Sequence, residues 1–475
     1  MVIVASTLAW SCASLEAPLA ITHVTVLDAT GSPAQPDMTV VIVHDHIAAI
    51  SSSATAKLSW RTTIVDGRGK FLIPGLADMH VHLTGAGEPG GSREFMIPLL
   101  VANGVTSVRD MGGYLESLLP LRREIVARKR LGPRIFLAGP YLDGSPPSFQ
   151  PSLVVTDPAE ASEDVRDLVQ RGVDFIKVQS MLGRGAYFAI AAACKREHIS
   201  FVGHVPDHVT AAEASAAGQK SIEHLTGVLR ACSSDEPRLM HEQFSAAEGK
   251  EKNVSSSQRQ FDWDRELLQT FSETQAHSLV EEFVVNGTWQ TPTLILLQQD
   301  AYPRGNLSDV QDSRAKYVPR GVLERWKKMA VQNAAIAKLQ DSTVREALMA
   351  QSERVVGEMQ SAGVKILPGT DTAAPFVYPG FSLHEELALL VRAGLTPMQA
   401  LQTATVGAAE FMGKSATQGT IEKGKAADLV LLDADPLADI HNTSRIAAVV
   451  IRGKLLDRGA LDELLSSAEK FAAAH

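Results

Sequence analysis

Residues 71–83 read FLIPGLADMHVHL. The run is short and apolar and does not alternate with polar residues until it closes on His80-Val81-His82. A strand buried on both faces of a parallel sheet has this pattern. Strand side chains alternate with period two, so the two imidazoles leave the same face. The fragment therefore places a chelating pair at the end of a buried strand. What kind of sheet holds that strand depends on the rest of the chain.

Seven further segments share this character. They are LLVANGVTSVRD (99–110), RIFLAGP (134–140), LVQRGVDFIKV (168–178), SFVGHV (200–205), ASAAGQKSIEH (214–224), FVVNGTWQTPTLIL (283–296) and MQSAGVKILPGTD (359–371). In most of them a helix-like stretch stops at Gly, which tolerates the left-handed conformation that ends a helix, and a β-rich run follows at once. Eight such units predict a closed (β/α)8 TIM-type barrel over 73–412. Two longer stretches interrupt the rhythm, 227–286 and 297–345, with WDRELLQTF and VLERWKKMAVQNAAIAKLQ as helical patterns. Loops after barrel strands lie over the active face, so these are candidate lids, or else packing or oligomer contacts.

The ends of the chain read differently. ITHVTVLD, MTVVIVHDHIAAIS and TTIVDGRG within 19–72, and GTIEKGKAADLVLLD and IAAVVIRGKLL within 413–465, are short strands with turns between them. They predict one small β-sandwich domain assembled from both termini, because chain ends are often close in space. Residues 1–18 are read as an N-terminal extension and 466–475 as a C-terminal tail.

The 475 residues suffice for a barrel and a second domain, and the -9 formal charge argues against a nucleic-acid partner. Cys12, Cys194 and Cys232 lie far apart with no CxxC, so neither a thiolate zinc site nor a disulfide framework is indicated. Metal chemistry would have to come from histidines and carboxylates. No apolar run reaches the ~18–20 residues needed to span a bilayer. The expected partners are a small-molecule substrate and further copies of the chain in a homo-oligomer. The expected compartment is the cytoplasm. Export as a lipoprotein is the alternative suggested by the apolar start before Cys12, which lacks a positive n-region.

Barrel catalysts come from the C-terminal ends of strands. His80 and His82 end the first strand, Lys177 lies in the fourth, and His204, His224 and Asp371 end the fifth, sixth and eighth. Taken singly, each has an ordinary reading: a hydrogen-bonded histidine, a surface lysine, a helix-capping aspartate. A lysine inside a buried strand, however, must be paired or chemically modified. Six such groups at strand ends point together to a metal site. The chain also holds a control, His44-Asp45-His46, an HxH in a predicted turn without partners.

At these residues the chain resembles the amidohydrolase superfamily. The resemblance rests on PGLADMHVH, the strand-four lysine, the single histidines of strands five and six, the strand-eight aspartate and GTIEKGKAADLVLLDADPL, and it covers nearly the whole chain. The chain is most similar to the imidazolonepropionase-like and prolidase-like (Xaa-Pro dipeptidase-like) branch. The resemblance implies two divalent ions, zinc first and manganese, cobalt or iron as alternatives. It implies His80, His82 and Asp371 on one ion, His204 and His224 on the other, and Lys177 bridging as a carbamate formed with CO2. Two such ions would lower the pKa of a bridging water and furnish hydroxide near neutral pH. Asp371 would be ligand and proton shuttle together.

The expected reaction is hydrolysis of an amide C–N bond, in a dipeptide or N-acyl amino acid. Cyclic amides, lactones and organophosphate esters are alternatives on the same site. The loops depart from the dipeptidase pattern, since no histidine follows strand three. Tyr141 is a candidate oxyanion donor, and Arg184 and Arg230 are candidate partners for a substrate carboxylate. Rival classes have weaker motifs. GAGEPG at 85–90, with Asp110 beyond it, outlines a dinucleotide fingerprint, but Pro89 interrupts the turn. His384-Glu385 begins HExxH, but Ala388 stands at the second histidine, so Glu385 and Glu386 are expected as helix-start acids. A non-catalytic barrel scaffold would have lost ligands that are all present here.

Overall fold

In the computed structural model, residues 17–84, 92–247, 256–302, 312–338, 341–372 and 374–475 are described. The GAGEPG stretch and the start of the N-terminal extension lie outside them.

Eight parallel segments form the barrel. Leu76–Val81 pairs with Val105–Asp110, which pairs with Arg134–Leu137. The third segment continues past Gly139 (φ +77°) into Tyr141–Asp143, which pairs with Ile176–Val178. Phe201–Gly203, Ser221–Glu223 and Trp289–Thr291 follow in order. Single bridges close the ring, Gln290 to Ile366 and Thr372 to Val81. Across the seam Asp371 N–H donates to the His80 carbonyl at 2.8 Å and His82 N–H to the Thr372 carbonyl at 2.6 Å. On its other side Gln290 N–H donates to the Lys365 carbonyl and Leu367 N–H to the Gln290 carbonyl, so the eighth segment is held from both neighbours. Leu76–Val81, Val105–Asp110 and Ile176–Val178 are buried throughout because helices cover them outside and side chains fill them inside.

The ends of the chain form one eight-stranded mixed sheet. Leu19–Val26 and Gln35–Val43 come from one end, and Leu429–Leu432 and Ile446–Ile451 from the other. Phe71–Pro74 pairs antiparallel with Leu429–Leu432 and leads directly into the first barrel strand. Alternation sorts this strand pair between two cores. Leu72, Leu429 and Leu431 pack inside the sheet domain, whereas Ile73, Val430 and Leu432 join the barrel core. The His44-Asp45 turn joins two strands of this sheet, and Asp45 pairs with His46 and Arg128.

The sequence expects a tail from 466, but Arg458–Ala474 is one continuous helix capped by Asp457. Its buried Leu461 and Ala468 belong to the barrel core, and that burial holds the segment helical to its end. Among the described residues no helix is long and apolar enough to cross a membrane.

Candidate metal centre

Each histidine is placed by a strand end and oriented through its Nδ1. His80 Nδ1 lies 2.9 Å from Glu223 Oε2, and His82 Nδ1 lies 3.0 Å from the Gly112 carbonyl. His204 Nδ1 lies 2.8 Å from Ser180 Oγ, and His224 Nδ1 lies 2.7 Å from Thr293 Oγ1. With Nδ1 engaged, Nε2 is the nitrogen left for a ligand on each ring, the usual way an outer partner fixes a metal-binding tautomer.

The Nε2 atoms of His80 and His82 approach Asp371 Oδ1 at 3.3 and 3.0 Å. These three groups offer ligand atoms within 4.8 Å of one another, which fits one divalent ion. The His224 ring lies 4.5 Å from that of His80 and 5.0 Å from that of His204. Among the described residues, no third His, Cys or carboxylate completes a cluster around His204 and His224.

Protonation favours ligation. Burial, then the charges of His224 and Lys177, holds His80 well below the usual histidine range. Burial with Lys177 and His224 does the same for His204, and burial brings His224 to about 4. His82 goes the other way. Burial opposes its charge, but the Asp371 carboxylate outweighs burial and raises it. Asp371 in turn is lowered, because His82 and His224 outweigh its own burial. Three of the four rings are therefore neutral near pH 7 and ready to ligate.

Lys177 is 1% exposed. Burial lowers its ammonium to about 8, and among the described residues no carboxylate lies within 4 Å of it. Gly203, next to His204, packs against this lysine. A Cβ there would lie 2.2 Å from the Val178 carbonyl oxygen and 3.0 Å from Lys177 Cδ, and its φ is +134°. His224, Thr293 and Asp371 take positive φ of 57°, 48° and 59°. Each is a non-glycine residue in the left-handed region, costing on the order of 1 kcal/mol, and such strain clusters at functional sites.

The outer residues were not singled out from sequence. Arg109, fully buried, donates to both Glu223 carboxylate oxygens, to Ser221 Oγ and to the Met79 carbonyl. Asp78 accepts the amides of His80 and Thr370 and the Thr370 hydroxyl, and burial raises its carboxyl to about 7. The available signal was a charge inside an apolar strand, VTSVRD or SIEH, the same argument that flagged Lys177.

The remaining expectations fall as follows. Tyr141 Oη lies 3.1 Å from His82 Nδ1. If that nitrogen carries the proton it gives to Gly112, the phenol accepts and its own O–H remains available to donate. Arg184 is bound to the Glu213 carboxylate through both terminal nitrogens, so its fork is already filled. Arg230 donates to the Val209 carbonyl at 2.9 Å, with Glu236 4.0 Å away. Asp110 uses its carboxylate on the amides of Leu83 and Gly112, which makes it a loop fastener and not a ribose ligand.

Glu386 corrects its expectation. It does not solvate the start of its own helix, Phe381–Arg392, but is fully buried and accepts the amides of Leu294 and Ile295 at 3.0 and 2.7 Å. It caps the helix that follows strand seven. Glu385 accepts from Arg314 and from Ser382 Oγ.

Residues 71–456 match the profile of the amidohydrolase family. Over 81 residues the chain is 41% identical to ochratoxinase of Aspergillus niger, a stretch covering 17% of this chain and only 16% of that relative. Bottromycin amidohydrolase superposes with a TM-score of 0.73 at 23% identity, covering 95% of this chain and 90% of that one. A Xaa-Pro dipeptidase with methionine bound in its active site gives 0.66 at 20% identity, covering 93% and 100%. At these identities the two structures speak for the fold.

Proposed function

The chain belongs to the amidohydrolase family and is a metal-dependent hydrolase; from that premise we propose that it cleaves the amide bond of a dipeptide or N-acyl amino acid at a centre of two ions. The observation that carries the reading is four imidazoles gathered ring against ring, two of them on Asp371. The Xaa-Pro dipeptidase and bottromycin amidohydrolase among its structural neighbours favour amides over esters.

His80, His82 and Asp371 would hold one ion, and His204 and His224 the other. The second pair needs another donor, and an ammonium cannot ligate. A carbamate on Lys177 would supply oxygen donors there and remove a buried ammonium that, among the described residues, has no carboxylate within 4 Å. Nitrogen and carboxylate donors suit zinc, with manganese, cobalt or iron as substitutes. Bound there, divalent ions supply an acidified water and a Lewis acid for the scissile carbonyl.

The protein's own part follows from its geometry. Asp371, held low by His82 and His224, is a carboxylate able to take the water's proton and return it to the leaving amine. Tyr141, if its O–H is free, can donate to the oxyanion. Glu223, Gly112, Ser180 and Thr293 keep the rings from turning.

The test is metal content of protein prepared with bicarbonate, wild type beside Lys177→Ala. About two equivalents, falling sharply in the variant, supports the two-ion centre. About one, unchanged by the substitution, overturns it in favour of a single-ion site.

A further inference from the structure

Beside His224 lies a cavity of about 260 Å³. Ser180, whose hydroxyl orients His204, and His224 itself are among its lining residues. Its wall is mixed: Leu225, Leu229, Leu239, Trp263, Leu267 and Leu297 supply the larger, apolar part, and Asp207, Thr226, Arg230, Gln260 and Ser352 the polar part. The apolar residues come from four elements. Leu225 and Leu229 follow the sixth strand, Leu239 is on helix Glu236–Ala247, Trp263 and Leu267 are on helix Ser256–Gln269, and Leu297 is on helix Leu294–Ala301. Trp263 and Leu267 are four residues apart and so share one helix face. The long stretches after strands six and seven thus meet beside His224 and wall this cavity.

Its charges are already answered. Arg230 reaches the Val209 carbonyl and feels the carboxylates of Glu236 and Asp207, so one cation faces two acids. A substrate carboxylate entering here would meet a wall with no cationic excess. An uncharged hydrocarbon group would exchange water for leucine and indole.

We propose that this cavity receives an apolar substituent, aromatic or branched aliphatic, carried on one side of the scissile amide; this rests on the reading of the centre as an amide hydrolase. Arg230 is then part of the wall and not a carboxylate clamp. Specificity is set by Trp263, Leu229 and Leu297, one from each of three separate elements, at the cavity that opens on His224.

Two measurements on the metal-loaded full chain test this. The first is calorimetric binding of acetamide, butyramide, hexanamide, benzamide and 4-carboxybenzamide. Affinity is expected to rise about fourfold per buried methylene, and the added carboxylate is expected to weaken benzamide more than tenfold. Trp263→Ala and Leu229→Gln should each flatten the series, whereas Trp60→Ala, 86% exposed and outside the cavity, should not. The second is kcat/KM for N-benzoyl against N-acetyl amino acids, with a preference above tenfold that shrinks in the same two variants. A flat binding series with turnover indifferent to the acyl group overturns the proposal and leaves the hydrolase reading standing. A rising series with no amide turnover keeps the apolar pocket and overturns the amide reading beneath it.

Discussion

Arg109 Nη2 donates to both carboxylate oxygens of Glu223, at 3.0 and 2.9 Å, and Glu223 Oε2 in turn meets His80 Nδ1 at 2.9 Å. Two charged residues 114 positions apart thereby hold a metal-centre ring from inside the barrel. With Nη1 on Ser221 Oγ and Nε on the Met79 carbonyl, the guanidinium is fixed in orientation as it answers the carboxylate charge.

Glu223→Gln removes the strong acceptor from His80 and takes from the buried Arg109 guanidinium its hydrogen-bonded counter-charge. Metal affinity should fall about 10–100-fold. Unfolding free energy should drop by roughly 3–5 kcal/mol, the cost of breaking one side of a buried pair. Metal-buffered titration and urea denaturation read the two effects separately. A stability loss with metal affinity untouched would show that the chain of contacts stops short of the ion.

Asp371→Asn separates ligation from proton transfer. The amide keeps an oxygen for His82 and His80 to face but cannot accept the proton. With the metal retained, kcat should fall about 10²–10⁴-fold. Metal per chain must be measured beside kcat, because loss of both together would assign Asp371 to ligation alone.

Gly203→Ala puts a Cβ 2.2 Å from the Val178 carbonyl at a φ of +134°. The fourth and fifth strands would have to part where Lys177 and His204 emerge. A loss of about 2 kcal/mol or more is expected, with reduced metal uptake. Thermal unfolding with and without metal checks it, and a neutral result would mean the strands can yield there.

Glu386 links pH to stability. Burial raises its carboxyl to about 8 in the folded chain, against 4.5 for the free group. Between these values the folded state binds more protons than the unfolded one, so this group costs stability as pH rises from about 4.5 towards 8. The slope for one group is at most ~1.4 kcal/mol per pH unit. Glu386→Gln should therefore show a flatter stability profile over that window than the wild type. Denaturation at pH 5, 6.5 and 8 provides the comparison, and parallel profiles would sink the assignment. The variant should still lose part of the cap on the helix that carries Leu294 and Ile295 next to Thr293.

The barrel and the residues at its strand ends were legible because their signals are local. An apolar run of five or six residues, a Gly stop and a period-two alternation are each written within a dozen positions. FLIPGLADMHVHL, FIKVQ, FVGHV, SIEHL and LPGTD carry that information by themselves. The continuation of the last helix through 466–474 was not legible, since its cause is burial against the barrel. Nor was Glu386, whose place near its own helix start suggested a dipole partner while the fold aims it at another helix.

The sequence alone therefore determined the architecture and which side chains stand at the productive ends of the strands. Only the tertiary structure decided how each is held and what is already taken: Glu223 by Arg109 and His80, Arg184 by Glu213, and the wall beside His224 by leucines and an indole from separate insertions. The physical reason is range. Backbone periodicity acts between neighbours in the chain, whereas the pairing of buried charges and the closing of an apolar cavity depend on which distant groups the folded barrel brings within a few ångströms.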